Sequence, residues 1–410
     1  MKRKDYFTLI LILGSLCTIS PFAIDMYLPG FPSIAKDLST SISTVQLSLT
    51  SYLVGISLGQ LFYGPLLDRY GRKLPLYLGL GVFIASSLGC ALTTSAETLI
   101  AMRFIQALGG CVGMVAAQTL VRDIFPVNKT AQVFSLLTLV IAISPMVAPT
   151  LGSYITTAFD WHYVFILLAI ITAIIMAATF YVLPAGNAPD PSISLQPKSV
   201  LKNYLKVIKE PQFLIYTLAG GIATAAPFAY IAGSANVFIN IYQMTEQQYG
   251  WTFALLAFAM IGTTQLNHVL LKKLSSQKIV RFTLLYQSFV GVLLVLCIWM
   301  NIIGPYGLIA LLFVFLTGQG LSNPNATALS LAPFSKYAGS AAALMGSFRM
   351  AMGGLLSAAV SLFHANTALP MVGTMAFCAI AGLSALVIGK VKVRHKARKR
   401  QVEEDTSVLM

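Results

Sequence analysis

Residues 163–183 read YVFILLAIITAIIMAATFYVL, an uncharged apolar run that decides the fold class. About 20 such residues are needed for a helix to cross about 30 Å of hydrocarbon at a rise of 1.5 Å per residue. The rest of the chain follows the same composition, since 57% of its 410 residues are hydrophobic and 10% are charged, against roughly a quarter in a soluble domain. The composition excludes a soluble enzyme and predicts an integral membrane protein.

Charged or turn-rich segments separate this run from eleven others, so the sequence predicts twelve transmembrane helices. The predicted spans are 6–28, 45–67, 75–93, 97–119, 131–156, 163–183, 211–236, 248–271, 279–301, 306–324, 339–362 and 368–389. The longest non-spanning stretch, 184–210, divides them six and six. We therefore expect an all-α fold of two pseudo-symmetric six-helix bundles, 1–183 and 211–390, with a basic tail at 391–410. Internal repeats of this kind are typical of transporters, whose substrate site lies between the halves.

The 184–210 linker begins with several prolines and continues into a basic segment. Lys198, Lys202, Lys206 and Lys209 fall on one helical face, with apolar residues elsewhere. This pattern favours an interfacial helix lying along the inner leaflet, and a disordered linker is the alternative.

The formal net charge of +14 is distributed in a way that predicts the orientation. With a cytoplasmic N-terminus, 24 of the 27 Lys and Arg residues fall in cytoplasmic segments, Lys36 lies in an outer loop, and Arg103 and Arg349 lie within spans. This satisfies the positive-inside rule and places both termini in the cytoplasm. Because the basic residues are scattered over seven inner segments, the same count argues against nucleic-acid binding.

The sequence lacks the motifs that are typical of several functional classes. All five cysteines lie in apolar runs with no metal-ligand spacing, so we expect neither a disulfide framework nor a metal or other cofactor. The sequence contains no G-x-x-x-x-G-K-[ST] phosphate loop, which excludes an ATP-driven pump.

Asp25 is the only carboxylate well inside a predicted span, and Arg103 lies at a similar depth in span 4. A charge in the hydrocarbon costs at least ~2.5–3.5 kcal/mol on insertion scales, so Asp25 needs a partner, water or a proton. We hypothesise that Asp25 is the proton-coupling site and that Arg103 modulates it. The alternative is a static buried ion pair that fixes spans 1 and 4.

Arg349 falls at the middle of span 11, where no intramembrane acid remains to pair with it. It is expected to face a water-filled cavity or backbone carbonyls. A substrate with a carboxylate, a phosphate or a strong acceptor could bind there, and structural bonding to neighbouring helices is the alternative.

The loop after span 2 reads GPLLDRYGRK and begins at Gly64. It closely resembles the signature loop of the major facilitator superfamily. Gly64 and Gly71 permit close approach and a sharp turn, Asp68 can sit at a helix N-terminus, and Arg69 and Arg72 can pair with acids. Such a cluster can act as a conformational latch, and an ordinary basic cytoplasmic loop is the alternative.

Further motifs narrow the resemblance. RFIQALG, from Arg103, and SPMVAPTLG, from Ser144, resemble the drug/proton antiporter branch of that superfamily. DMYLPGFP, from Asp25, and FAYIAGS, from Phe228, look like its bacterial Bcr/CflA drug-resistance subfamily. The resemblance covers essentially the whole chain.

The resemblance implies a proton-coupled antiporter that exports small amphipathic drugs, such as phenicol or bicyclomycin-like antibiotics, from the bacterial cytoplasm by alternating access. We expect a monomer in the inner membrane whose partners are lipid, protons and a small molecule. A carrier of a specific metabolite or nutrient on the same fold is the alternative.

Small-molecule sites combine apolar and aromatic surface with a few polar groups. The candidate substrate-binding residues on this basis, besides Arg349, are Tyr27, Tyr52, Gln106, Phe228, Tyr230 and Asn236. Tyr52 and Gln106 rank first because they neighbour the proposed Asp25 and Arg103 site and match positions used by similar antiporters. Simple helix packing is the alternative for each.

Overall fold

The computed structural model describes residues 3–125, 127–184, 189–190, 197–334, 338–363 and 367–408, and within these ranges it contains helices and no strands. The fifteen α-helices are α1 (Arg3–Asp25), α2 (Phe31–Asp37), α3 (Ile42–Tyr70), α4 (Lys73–Ala91), α5 (Ala96–Ile124), α6 (Val127–Ala158), α7 (His162–Val182), α8 (Pro197–Ile208), α9 (Pro211–Ala223), α10 (Ala226–Ala235), α11 (Glu246–Leu270), α12 (Ser276–Trp299), α13 (Pro305–Leu331), α14 (Ala338–Leu362) and α15 (Leu369–Val408). A 3₁₀ turn, Leu28–Gly30, joins α1 to α2, and a π-helix, Asn236–Ile241, follows α10.

The all-α membrane fold is confirmed. Ten helical segments in the described residues are long and apolar enough to cross a membrane, judged by length and composition. The helices α6 and α11 fall outside those ten but have 32 and 25 residues. At 1.5 Å per residue, each exceeds the roughly 30 Å of hydrocarbon. Counted with them, and with α9 and α10 as one span, the described part of the chain has twelve.

The helices pack as two halves that meet along two seams. One seam joins α3 to α14, and the other joins α6 to α11. In the first seam Thr50 donates a hydrogen bond to Ser357 (2.9 Å), and Ser57 donates one to the carbonyl of Ser347 (2.9 Å). The second seam is close-packed at Gly250. A Cβ atom added to this glycine would lie only 2.9 Å from the hydroxyl oxygen of Ser153.

The helix bundle has two opposite ends, which we call the linker face and the far face. The linker face carries α8, the turn at Gly71 and the start of α9. The far face carries the 3₁₀ turn Leu28–Gly30 and the start of α11. On the linker face, Tyr204 of α8 donates a hydrogen bond to the carbonyl of Leu61 in α3 (3.0 Å), so the linker helix touches the first half.

The structure corrects several predicted boundaries. Span 7 is interrupted between α9 and α10, because Pro227 has no backbone N–H to donate and restricts the residue before it, and its π-helical end extends to Ile241. The linker helix is present as α8, whereas 185–188 and 191–196 lie outside the described residues. The last span continues without a break into the basic tail, since α15 ends at Val408.

Candidate functional site

Arg103 is fully buried at the centre of the first half, between aromatic rings. Its guanidinium carbon lies 4.3 Å from the centroid of the Tyr27 ring and 4.0 Å from that of Tyr52. The Phe165 ring is the third wall, at 5.7 Å. Stacking of a guanidinium on desolvated aromatic faces is worth about 2 kcal/mol. The sequence-predicted Arg103, Tyr27 and Tyr52 therefore form one aromatic box.

Hydrogen bonds complete the aromatic box. Arg103 donates to the amide oxygen of Gln106 and, at 2.8 Å, to the backbone carbonyl of Ala23 in α1. Gln106 donates in turn to the hydroxyl of Ser87 in α4 (2.7 Å). Tyr27 shares a hydrogen bond with the hydroxyl of Ser48 in α3 (3.3 Å). Ser48 and Ser87 were not predicted, because a lone serine in an apolar span carries no distinguishing signal.

Asp25 does not form the expected ion pair with Arg103 in this conformation. The carboxyl is 3% exposed, and its Oδ1 has no hydrogen-bond partner in the described part of the chain. Arg103 instead donates to the backbone carbonyl of Ala23 in α1, two residues before Asp25. The static-pair alternative is therefore absent here.

Asp25 faces the second half instead. It lies close enough to Tyr230 in α10 and to Tyr249 in α11 to interact electrostatically with both phenols. Tyr249 shares a hydrogen bond with Ser234 (2.8 Å), whereas the Tyr230 hydroxyl is buried without a partner among the described residues. Tyr249 was missed because only the packing of the two halves brings it to Asp25.

The remaining predicted residues of the second half are scattered. Phe228 packs closely on Gly353 of α14. A Cβ atom added to that glycine would lie only 2.6 Å from the Phe228 ring. Asn236 lines a cleft of about 240 Å³ at the far face, and its side chain accepts a hydrogen bond from Asn240 (3.0 Å). Tyr230 is 3% exposed, so it is a core residue in this conformation.

Arg349 lies in α14 and reaches toward the linker face. It donates a hydrogen bond to the Thr327 hydroxyl in α13 (2.7 Å). Its Nε is buried and bonds to nothing within the described ranges. No carboxylate of the described chain pairs with it, in agreement with the sequence.

The loop between α3 and α4 is organised by Arg72. Its guanidinium pairs with Asp68 and, at 2.7 Å, with Asp123 at the end of α5. Burial alone would lower the pKa of Arg72, but the carboxylates of Asp123 and Asp68 outweigh it and the pKa lies above its ordinary value. Gly71 has φ +80°, a conformation that glycine adopts most readily.

Two expectations for this loop are corrected. A side chain at Gly64 would meet open space, so no close approach occurs there. Asp68 pairs with Arg72 rather than capping a neighbouring helix through its dipole. The backbone carbonyl of Asp68 also accepts a hydrogen bond from Asp190 of the linker (3.1 Å), and Arg69 lies over the Tyr70 ring (5.9 Å).

The far face is closed by a contact that the sequence did not predict. Ser33 in α2 donates to one oxygen of Glu246 (3.3 Å), and Thr157 in α6 donates to the other (3.3 Å). Burial raises the pKa of Glu246, and these two hydrogen bonds oppose the rise. We call Ser33, Thr157 and Glu246 the far-face lock. Glu246 is the only Asp or Glu between residues 211 and 390, and this isolation in the sequence could have identified it as a candidate.

No group of three or more His, Cys, Asp or Glu side chains suited to a metal ion occurs in the described portion of the molecule. Within that portion the interior instead holds the Arg103 aromatic box, the Asp25 carboxyl with one unpartnered oxygen, and the Arg349 guanidinium with Thr327 as its partner. This arrangement suits the exchange of a proton and the binding of a small polar group.

Comparisons with known proteins agree with this arrangement. The family model described as Major Facilitator Superfamily matches residues 13–358. The chain is 33% identical over 387 residues to the bicyclomycin resistance protein homolog of Haemophilus influenzae, covering 94% of this chain and 96% of that protein. It is 30% identical to the chloramphenicol resistance protein of Pseudomonas aeruginosa, and the alignment covers 98% of this chain and 94% of that protein.

A solved structure is similar in fold. The crystal structure of a D-xylose-proton symporter superposes with a TM-score of 0.71 at 13% identity, covering 94% of this chain and 97% of that one. The chain belongs to the major facilitator superfamily, and its resemblance to the Bcr/CflA drug-resistance transporters within that superfamily is confirmed.

Proposed function

We propose that this protein is a proton-coupled antiporter that exports small amphipathic drugs from the bacterial cytoplasm. The names of the two resistance relatives support a cargo of the phenicol or bicyclomycin type. In this proposal the protein works as a monomer in the inner membrane, with the linker face and both termini in the cytoplasm. The distribution of Lys and Arg supports that orientation.

One observation carries the proposal: Asp25 is a buried carboxyl with an unpartnered oxygen inside a membrane span. An unpaired carboxylate there costs several kcal/mol, whereas the neutral acid is tolerated. The buried position therefore suits the protonated form. A conformation in which the far face opens would expose Asp25, at the far end of α1, to external water.

The proposed cycle couples that proton to alternating access. A proton from outside neutralises Asp25 when the far face is open, and the neutral carboxyl then packs against Tyr230 and Tyr249 as the far face closes. The far-face lock forms in the same step. Return to the state open at the linker face releases the proton and permits drug to bind.

Arg103 has a positioning role in this cycle. It bonds the carbonyl of Ala23, two residues before Asp25, and so fixes the end of α1 against α5. Tyr27, Tyr52 and Gln106 are fully buried around it, so we propose that they contact drug only when the halves separate. Phe228, Tyr230 and Asn236 are proposed to form the facing wall in the second half.

The proposal is tested by drug accumulation in inside-out proteoliposomes. A proton gradient, acid inside, is imposed, and uptake of radiolabelled chloramphenicol and bicyclomycin is measured for wild type and Asp25→Asn. We expect wild type to concentrate at least one drug and Asp25→Asn to lose concentrative uptake. Glu97→Gln is the matched control, because Glu97 is an exposed carboxylate at the start of α5.

Concentrative uptake by Asp25→Asn at the wild-type level would overturn the role of Asp25. Uptake driven only by a gradient of the opposite sign would indicate symport and favour the metabolite or nutrient carrier instead.

A further inference from the structure

The guanidinium of Arg349 is a partly buried cation with a buried Nε, and no carboxylate in the described part of the chain pairs with it. The only Asp or Glu between residues 211 and 390 is Glu246. That residue begins α11 at the far face and is held by the far-face lock. Arg349 instead points toward the linker face, because its partner Thr327 lies four residues before the end of α13.

The acids of the first half do not supply the missing charge. Asp68 and Asp123 pair with Arg72 in the loop between α3 and α4. Asp25 lies at the far-face end of α1, toward Tyr230 and Tyr249. An arginine presents five N–H donors, and one hydrogen bond, to Thr327, is formed by Arg349 in the described chain.

A second unpartnered polar group lies on the neighbouring helix. Thr217 of α9 is 5% exposed, and its hydroxyl has no hydrogen-bond partner among the described residues. It precedes Gly221 by one helical turn, so the two share a face of α9. That face contacts Arg349, because a methyl group at Gly221 would lie 3.8 Å from the Arg349 Cγ. Buried polar groups are almost always bonded, so two such neighbours point to a missing polar ligand.

We propose that Arg349, Thr217 and Thr327 form an oxyanion site that binds the carboxylate of an amphipathic organic acid entering from the linker face. This inference rests on the proposed function, since it specifies one chemical class of exported cargo. The planar guanidinium matches a carboxylate through two parallel hydrogen bonds, and the threonine hydroxyls add further donors. The apolar body of the acid packs against the Phe348 ring, which lies against Gly221 where α9 meets α14.

The site predicts discrimination between an acid and its ester. The probe is norfloxacin, a fluorescent fluoroquinolone with one carboxylate, compared with its methyl ester. Binding to detergent-purified protein is measured by fluorescence anisotropy, without a proton gradient. Loss of one charge-assisted hydrogen bond weakens binding about tenfold or more, so we expect wild type to prefer the acid by about that factor.

Three variants identify the residues responsible. Arg349→Gln is expected to abolish the preference for the acid, with the ester unaffected. Arg349→Lys is expected to retain part of it, because the charge remains but the fork is lost. Thr217→Val is expected to weaken acid binding a few-fold. The matched control is Thr283→Val, which removes an equally buried, unpartnered hydroxyl from α12, a helix that packs on α13 and α15.

The proposal is overturned if wild type binds acid and ester equally, if it binds neither, or if Arg349→Gln weakens both forms alike, which would make Arg349 structural. Size-exclusion profiles and thermal unfolding identify variants that fail to fold, and Arg349→Lys then carries the test. Because binding is measured without a gradient, acid preference combined with no gradient-driven uptake would contradict the antiport function and leave the oxyanion site standing.

Discussion

Each half carries one arginine within the membrane, Arg103 fully buried and Arg349 partly buried, and the surroundings of the two differ. Arg103 is enclosed by three aromatic rings and bonds a glutamine and a backbone carbonyl. Arg349 has one threonine partner, and the Nε of both arginines lacks a partner among the described residues. A cation that is enclosed and hydrogen-bonded to two helices stabilises the fold, whereas one with a single partner is less fully compensated. The difference indicates that the first half uses its arginine to position a helix, and the second keeps its arginine available.

The largest expected effect is at Arg103. Arg103→Met leaves the Ala23 carbonyl and the Gln106 amide without their donor and removes the cation from the aromatic box. We expect a loss of about 3 kcal/mol or more of stability and no transport. Thermal unfolding in detergent measures this, with Arg281→Met on the exposed start of α12 as control. Unchanged stability would contradict the positioning role of Arg103.

Next in size is the turn that positions Arg72. Gly71→Ala places a Cβ on a residue with φ +80° and ψ 166°, 3.2 Å from the Pro189 ring. We expect about 1–3 kcal/mol of destabilisation, because only glycine adopts this conformation without strain. Gly64→Ala is the control, since its Cβ would meet open space. Equal behaviour of the two variants in thermal unfolding would contradict the role of the turn in presenting Arg72.

A smaller effect is expected at Arg349. Arg349→Met removes a partly buried charge that has no acidic partner among the described residues and replaces it with apolar volume. Thermal stability should change by less than about 1 kcal/mol or increase, in contrast to Arg103→Met. A loss as large as that of Arg103→Met would show that the two arginines have the same structural role.

The smallest effect is a pH dependence at the far-face lock. Burial raises the pKa of Glu246 in the closed state above its ordinary value of 4.5, so closure takes up protons. The carboxyl therefore favours closure fully below its ordinary pKa, and this contribution is lost as the pH rises through the closed-state value. Distances between spin labels at Thr94 and Asn301, measured across that range, should lengthen with pH.

Glu246→Gln should remove this component, and Glu97→Gln should leave it unchanged. A pH dependence that persists in Glu246→Gln would assign the closure to another group.

Hydropathy and motifs predicted the membrane class, the twelve spans and the Arg103 cluster. These features are local: spans are continuous in sequence, and Arg103 and Gln106 are three residues apart and share a helix face. The lack of an acid partner for Arg349 was also visible, because it depends on composition.

The missing features depend on rotation and on packing between halves. A carboxylate and a guanidinium at equal depth were expected to pair, but depth does not fix which side of α1 faces α5. Tyr249 and Glu246 acquire their roles from residues more than two hundred positions away, Asp25 and Ser33. Gly64 matched a motif whose close approach is absent in this conformation.

In the proposed cycle Asp25 carries the coupled proton. The most direct measurement is the proton movement that drug evokes in proteoliposomes containing a pH-sensitive dye, for wild type, Asp25→Asn and Glu97→Gln. We expect a drug-evoked pH change in wild type and Glu97→Gln and none in Asp25→Asn at equal amounts of folded protein. An equal pH change in Asp25→Asn would contradict it.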